Sequence, residues 1–200
     1  MNTPTPLSRR GFLGGLAALA ALPALAHDGH EEPLAATLPG DSIYRIGATL
    51  QDQRGRTFEL ASLAGGPVLA SMFYTSCDMV CPMIFETMHA TLRALSPAER
   101  KAMRVLMVSF DPARDSVEVL KKTAEARNCG DQWVLARGDE ATARRVAAAL
   151  GIQYRRLSNG EFNHSSIVEL LDATGRVVAR SGKLGAADPA IVSAAHKLPA

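Results

Sequence analysis

The chain has 200 residues, with 22 Lys or Arg against 20 Asp or Glu, and its formal net charge at neutral pH is +2. That excess equals the two arginines of the N-terminal segment, Arg9 and Arg10, and the rest of the chain is neutral. Charges of both signs scattered along a neutral chain argue against nucleic acid as a partner. Three cysteines are too few for a disulfide-stapled scaffold.

An export signal is predicted over residues 1–26. A basic start that ends in Arg9-Arg10 is followed by an apolar run from Gly11 to Leu22 and by Ala24-Leu25-Ala26, which is the order of a signal peptide. The paired arginines resemble a twin-arginine signal, which directs folded proteins out of the cytoplasm. Because the apolar run is shorter than the roughly 20 residues of a membrane span, we expect cleavage after Ala26 and a periplasmic protein rather than a membrane-anchored one.

The residues after the signal divide into a leader and one domain. Residues 27–40 are polar with two prolines and predict a flexible leader. His27, as a new N-terminus, has an amine and a ring that together can chelate copper, with His30 nearby; a plain solvated leader is the alternative. Residues 41–200 have the size of one domain with one core.

Strands and helices alternate along this domain. Val68–Tyr74 is a continuous apolar run that predicts a strand buried on both faces, and Met103–Phe110 predicts a second one. The other predicted strands are Ile43–Leu50, Arg56–Leu60, Trp133–Leu135, Ser166–Leu171 and Arg176–Arg180. The predicted helices are Met83–Leu95, Val117–Arg127 after the N-cap Ser116, Asp139–Leu150, and a last helix from the cap Asp188 to about Lys197. We therefore predict an α/β fold, a central mixed β-sheet flanked by helices, in the thioredoxin-like layout of strand, cysteine loop and helix.

The cysteine loop contains a pair, Cys77 and Cys81, followed by Pro82. Proline is best tolerated in the first turn of a helix, so the pair is expected at a helix N-terminus. The helix dipole favours the thiolate there, which is the form that attacks disulfides and binds metals. The pair is thus predicted to be reactive, either in redox exchange or as metal ligands. Two thiolates with one imidazole suit copper, and His164, before a late strand, is the candidate imidazole.

Three segments of the chain resemble the Sco/SenC family of copper chaperones. They are Tyr74-Thr75-Ser76-Cys77-x-x-x-Cys81-Pro82, Val108-Ser109-Phe110-Asp111-Pro112-x-Arg114-Asp115 and Phe162-Asn163-His164-Ser165-Ser166. The resemblance runs from about Ile43 to Gly182. It implies a thioredoxin-like fold with an extra β-hairpin, and copper, as Cu(I) or Cu(II), held by Cys77, Cys81 and His164.

The resemblance also implies partners. The first is the copper-bearing subunit of cytochrome c oxidase, which would receive copper or have its copper-site cysteines reduced. Another periplasmic copper chaperone or a thioredoxin-like reductase would act upstream. The Asp111–Asp115 loop matches an acidic family loop linked to copper handling or docking, and a helix-capping loop with an internal Arg–Asp pair is the alternative.

Other sulfur and imidazole groups have plainer expectations. Met79 and Met83 carry soft sulfur, but methionines at a loop-to-helix junction predict core packing. Cys129 is expected to be a partly buried free thiol, and His89 to lie two turns away from the cysteine site. His196 has no visible partner in the sequence.

Two functions follow. The first is a periplasmic copper metallochaperone, which is not a turnover enzyme and requires His164. The second is a thiol–disulfide reductase, in which Cys77 would attack the partner's disulfide and Cys81 would resolve the mixed disulfide. The reductase would tolerate loss of His164. A peroxidase is disfavoured because Thr75 and Cys81 both lie too close to Cys77. Structural zinc is disfavoured because it takes four ligands.

Overall fold

Nine strands occur in the computed structural model, which describes residues 38–199. They are β1 (Thr49–Asp52), β2 (Thr57–Glu59), β3 (Val68–Phe73), β4 (Arg104–Ser109), β5 (Trp133–Arg137), β6 (Tyr154–Arg156), β7 (Phe162–His164), β8 (Val168–Leu171) and β9 (Val177–Ser181). The predicted signal at residues 1–26, His27, His30 and most of the leader lie outside the described residues.

Five α-helices complete the described part of the chain. They are α1 (Val80–Ala94), α2 (Pro97–Ala102), α3 (Val117–Ala126), α4 (Glu140–Ala149) and α5 (Pro189–Ala195). The predicted caps Ser116 and Asp188 accept hydrogen bonds from backbone N–H groups of the first turn, which satisfies donors that a helix start leaves free. Asp139, predicted as the first residue of its helix, is likewise an N-cap. Among these residues no helix is long and apolar enough to cross a membrane.

Seven strands form one mixed sheet in the order β2-β1-β5-β4-β3-β8-β9. The three central strands β5, β4 and β3 are parallel, whereas β1 and β2 on one side and β8 and β9 on the other are antiparallel. The predicted α/β fold with a central mixed sheet and flanking helices is confirmed.

The core follows from the two apolar runs. All six residues of β3 are buried, and so are five of the six in β4. A strand covered on both faces needs apolar side chains at every position rather than at alternate ones, which is why these two runs are continuous. Each fully buried large side chain there contributes about 1.5–3 kcal/mol, so the centre of the sheet is a rigid base for the loops at its ends.

The N-terminal strand prediction was partly wrong. Ile43–Ile46 is a 3-10 turn and the strand begins only at Thr49. The Ser42 hydroxyl accepts a hydrogen bond from Tyr44 N–H, and Gly47 takes the left-handed conformation with φ 60°. A cap on one side and a left-handed glycine on the other favour a turn over an extended run.

Candidate metal centre

Three segments meet at one edge of the sheet. Because β3 and β4 are parallel, with Phe73 opposite Ser109, the segments that follow them leave the sheet side by side. β8 runs antiparallel to β3, with Glu169 opposite Ala70, so the segment that precedes β8 arrives at the same edge. Cys77 follows β3 and His164 precedes β8, and the topology therefore brings them together across 87 positions of sequence.

Cys77, Cys81 and His164 form a cluster of ligand atoms. The two Sγ atoms and an imidazole nitrogen all lie within 4.8 Å of one another. Metal–sulfur bonds of about 2.3 Å and metal–nitrogen bonds of about 2.0 Å separate the ligand atoms of a three-coordinate site by about 4 Å. The donor set therefore fits one metal ion with small side-chain movements. Two thiolates and an imidazole are ligands that suit copper.

The first cysteine lies just before helix α1. Cys77 is 8% exposed, and its sulfur accepts a hydrogen bond of 3.3 Å from Cys81 N–H. Burial alone would raise the pKa of this thiol, but the N–H groups of Cys81, Met79 and Val80 favour the thiolate, and the net effect lowers the pKa. The prediction that a helix start favours the thiolate is thus supported at Cys77.

The second cysteine differs sharply from the first. Cys81 lies in the first turn of α1 and is only 3% exposed. Burial raises the pKa of this thiol strongly, and the negative charge of a Cys77 thiolate adds to the rise. The pair therefore holds one thiolate readily and a second one only when a cation compensates the added negative charge.

His164 is oriented by the backbone carbonyl of the next residue. Its Nδ1 lies 3.1 Å from the Ser165 carbonyl oxygen, and because a carbonyl only accepts, Nδ1 carries the hydrogen. In the neutral ring this leaves the lone pair of Nε2 free for a metal. The ring centroid is 5.0 Å from that of Phe110 and 6.0 Å from that of Tyr74, so aromatic side chains hold the half-buried imidazole in place.

Tyr74 links the cysteine loop to the strand that carries His164. Its hydroxyl donates a 2.7 Å hydrogen bond to Glu161, and its ring lies 5.1 Å from that of Phe162. Tyr74 is three residues before Cys77, and Phe162 is two residues before His164. The contact therefore fixes the distance between the two halves of the cluster.

The Asp111–Asp115 loop is hydrogen-bonded to the cysteine loop. Asp115 is fully buried and accepts hydrogen bonds from the N–H and hydroxyl of Thr75 and from the Ser109 hydroxyl. Burial raises the pKa of its carboxyl despite these donors. Asp111 forms an ion pair with Arg114. The Arg114–Asp111 ion pair is the internal pair of the helix-capping alternative, and the cap of the following helix is Ser116. A role of the loop in copper handling or docking stays a prediction.

The remaining candidates lie apart from the cluster. His89 bonds through Nε2 to the Arg127 carbonyl at 2.8 Å and packs on Trp133. Cys129 is a free, half-buried thiol, as predicted, and burial raises its pKa to about 12. His196, which lacked a partner in the sequence, lies 2.8 Å from Glu99.

The expectation for the methionines was wrong. Met79 is 80% exposed and Met83 is 44% exposed. The inward positions of the first turn are taken by Cys81, Ile84 and Phe85, which leaves no room in the core for residues on the opposite face.

The hairpin that carries His164 was missed by the strand assignment. β6 and β7 form a separate two-stranded sheet, with Tyr154 opposite His164 and Arg156 opposite Phe162. Its strands are three residues long, too short for a hydrophobic period to be recognised. The Asn159-Gly160 turn between them is a hairpin signal that could have found it.

Comparison with known proteins places these features in a family. The family model described as SCO1/SenC matches residues 44–198. A SCO1 protein homolog of Bacillus subtilis is 38% identical over 77 residues, which are 38% of this chain and 39% of that protein. The chain thus spans less than two thirds of the length of the curated relatives it matches.

Solved structures share the fold. ScoI of Bradyrhizobium japonicum with copper bound has a TM-score of 0.62 at 24% identity, covering 75% of this chain and 94% of that one. A SCO1/SenC family lipoprotein of Bacillus anthracis has a TM-score of 0.66 at 23% identity, covering 76% and 92%. At these identities the structural similarity establishes the thioredoxin-like fold.

Proposed function

Because this chain belongs to the SCO1/SenC family, we propose that it is a periplasmic metallochaperone that holds copper through Cys77, Cys81 and His164. The Cys–Cys–His cluster, with all ligand atoms within 4.8 Å, carries the proposal. The copper reported for B. japonicum ScoI supports the choice of metal. The predicted signal at residues 1–26 would direct export, and its cleavage after Ala26 would leave the leader at 27–40 and the domain at 41–200.

The cluster suits copper as a cargo rather than as a permanent cofactor. Two thiolates and the Nε2 atom of His164 give a soft, three-coordinate site, and a fourth position is left for an incoming ligand. Transfer would proceed by exchange, as a thiolate of the target forms a bond to copper while a Cys77 or Cys81 bond breaks. The target would be the binuclear copper site of cytochrome c oxidase or a similar copper enzyme.

The difference in pKa between the Cys77 and Cys81 thiols favours a second function. A thiol–disulfide reductase needs an attacking thiolate and a resolving thiol close behind it. The lowered pKa of Cys77 and the raised pKa of buried Cys81 match those roles. Such an enzyme would reduce the copper-site cysteines of the partner and would itself be reduced by a thioredoxin-like protein.

His164 separates the two functions. In an anaerobic titration of the reduced protein with Cu(I) against a competing chelator, the wild type is expected to bind one equivalent. His164→Ala should bind at least about tenfold more weakly, a loss of about 1.4 kcal/mol or more. His89→Ala, which removes another half-buried histidine outside the cluster, should bind like the wild type. Equal affinities of His164→Ala and the wild type would leave the reductase as the function.

A further inference from the structure

The methionines on the outer face of α1 form a surface beside the proposed copper site. Met79 is the residue before the first turn of α1, with helix-like φ and ψ of −112° and −66°, and Met83 follows four residues later. Side chains four apart lie on one face of a helix. Met79 and Met83 are therefore neighbours on the exposed face, whereas Cys81, between them in sequence, points into the protein.

The chain has few large apolar side chains exposed in this way. Five are exposed among the described residues, and two of the five flank Cys81. The other three, Leu157, Val177 and Val178, lie elsewhere in sequence and carry no sulfur. Met79 lies within the cysteine loop and Met83 in the first turn of α1, so the thioether surface adjoins that loop.

The loop after β9 contacts both Met83 and the segment that follows His164. The Met83 methyl group lies 3.7 Å from where a Cβ of Gly185 would be, and Gly185 N–H bonds to the Met83 carbonyl at 3.4 Å. In the same loop, a Cβ at Gly182 would lie 3.9 Å from the Ser166 carbonyl. Ser166 is two residues after His164, so the loop joins the Met83 side of α1 to the segment that carries the imidazole.

The buried cysteines present a problem of access. Cys77 and Cys81 are 8% and 3% exposed, so an incoming ion meets little of either sulfur at the surface. A thioether is a soft, neutral ligand that carries no proton at any physiological pH, and it therefore binds Cu(I) without a deprotonation step. An exposed thioether pair can hold Cu(I) before either thiol has reacted.

We propose that Met79 and Met83 form a capture site for Cu(I), which passes the ion to Cys77, Cys81 and His164. This inference rests on the proposed function. Copper stays Cu(I) throughout: bonds from copper to the thioether sulfurs form first, and they break as bonds to Sγ and Nε2 replace them. Each thiol that is protonated when it binds releases its proton to solvent.

The test is the rate of copper transfer. Reduced protein is mixed anaerobically with a Cu(I)–bicinchoninate complex, and uptake and chelator-driven removal are followed by stopped flow. In the double variant Met79→Leu, Met83→Leu, which keeps the apolar surface and the helix propensity, uptake and removal should both slow by about tenfold or more, while Kd stays within about threefold of the wild type. Met88→Leu removes a buried thioether from the same helix and should leave both rates unchanged.

A second measurement tests whether Met79 and Met83 bind the ion without the two cysteines. In Cys77→Ser, Cys81→Ser protein with 13C-methyl methionine, Ag(I), a redox-inert substitute for Cu(I), should shift the Met79 and Met83 methyl signals equally at pH 5 and pH 7. The signal of Met88 should not move.

The outcomes separate the two proposals. Wild-type rates in the double variant, or methyl signals that do not respond to Ag(I), overturn the capture site while the copper chaperone stands. Slower uptake with unchanged removal makes the methionines resident ligands, which also overturns a capture role. A wild type that takes up no Cu(I) overturns the chaperone itself and the inference with it.

Discussion

Cys77 and Cys81 are four residues apart and yet have opposite acidities. Backbone N–H groups at the start of α1 converge on the Cys77 sulfur, whereas the Cys81 sulfur is buried in the protein and faces the charge of its neighbour. The difference arises because Cys77 precedes the helix, where free N–H groups of the helix start reach its sulfur, whereas Cys81 lies within the first turn.

This difference predicts the order of alkylation. A lowered pKa keeps Cys77 partly as thiolate at pH values where an ordinary thiol is protonated, and its reactivity falls away only as the pH drops through that lowered pKa. In the reduced, copper-free protein, iodoacetamide at neutral pH should therefore modify Cys77 first, as measured by mass spectrometry of peptides over a pH series.

Cys129 is the internal control for that experiment. Its thiol is half-buried and its pKa is raised to about 12, so it should stay unmodified until the pH is far above neutral. Modification of Cys81 or Cys129 before Cys77 would contradict the thiolate assignment.

At the level of elements, the β6–β7 hairpin is the part of the site that has no strand pairing with the main sheet. It forms its own two-stranded sheet, and His164 is its last residue. The turn depends on Gly160, which has φ 85° in the left-handed region, and the Gly160 carbonyl accepts a 2.7 Å hydrogen bond from Arg114. The short strand β7, of three residues, leads from this turn to His164, so a substitution that strains the turn is expected to displace the imidazole.

Gly160→Ala is expected to weaken copper binding. A Cβ at this position meets no atom closer than 3.8 Å, so the cost of about 1 kcal/mol comes from the left-handed backbone alone. Fraying of the hairpin should lower the Cu(I) affinity severalfold in the same chelator competition, with little change in the melting of the main sheet. Gly160→Asn, which tolerates this conformation better, should lose less; an equal loss would point away from backbone strain.

The sequence predicted some elements better than others for physical reasons. Val68–Tyr74 and Met103–Phe110 were found because continuous burial leaves continuous apolar runs. The caps Ser116 and Asp188 were found because an N-cap needs a specific short polar side chain.

Other features leave no such trace in the sequence. The strands of the hairpin are too short and too exposed for periodicity to show, and the contact between Tyr74 and Glu161 depends on topology. The exposure of Met79 and Met83 depends on which face of α1 is already filled.

At the level of the whole molecule, the site is a product of sheet topology. Parallel β3 and β4 direct the Cys77 and Asp115 segments to one edge, and antiparallel β8 returns the His164 segment to the same edge. The ligands Cys77 and Cys81 and the ligand His164 come from distant parts of the chain, so a metal ion bound there ties together two segments that separate on unfolding. Binding free energy at such a site is also folding free energy.

Copper should therefore raise the melting temperature, and its removal should reverse the effect. With free Cu(I) buffered at about a thousand times Kd, the stabilisation is about 4 kcal/mol, which for a domain of this size is a shift of roughly 8–16 °C. Differential scanning calorimetry under nitrogen, with and without an excess of a strong Cu(I) chelator, measures it. Cys77→Ser, Cys81→Ser protein should melt at one temperature in both conditions, and His164→Ala should show a smaller shift than the wild type. If copper does not change the melting temperature of the wild type, the ion does not bridge these segments. The three-residue site would then be wrong even if copper binds elsewhere.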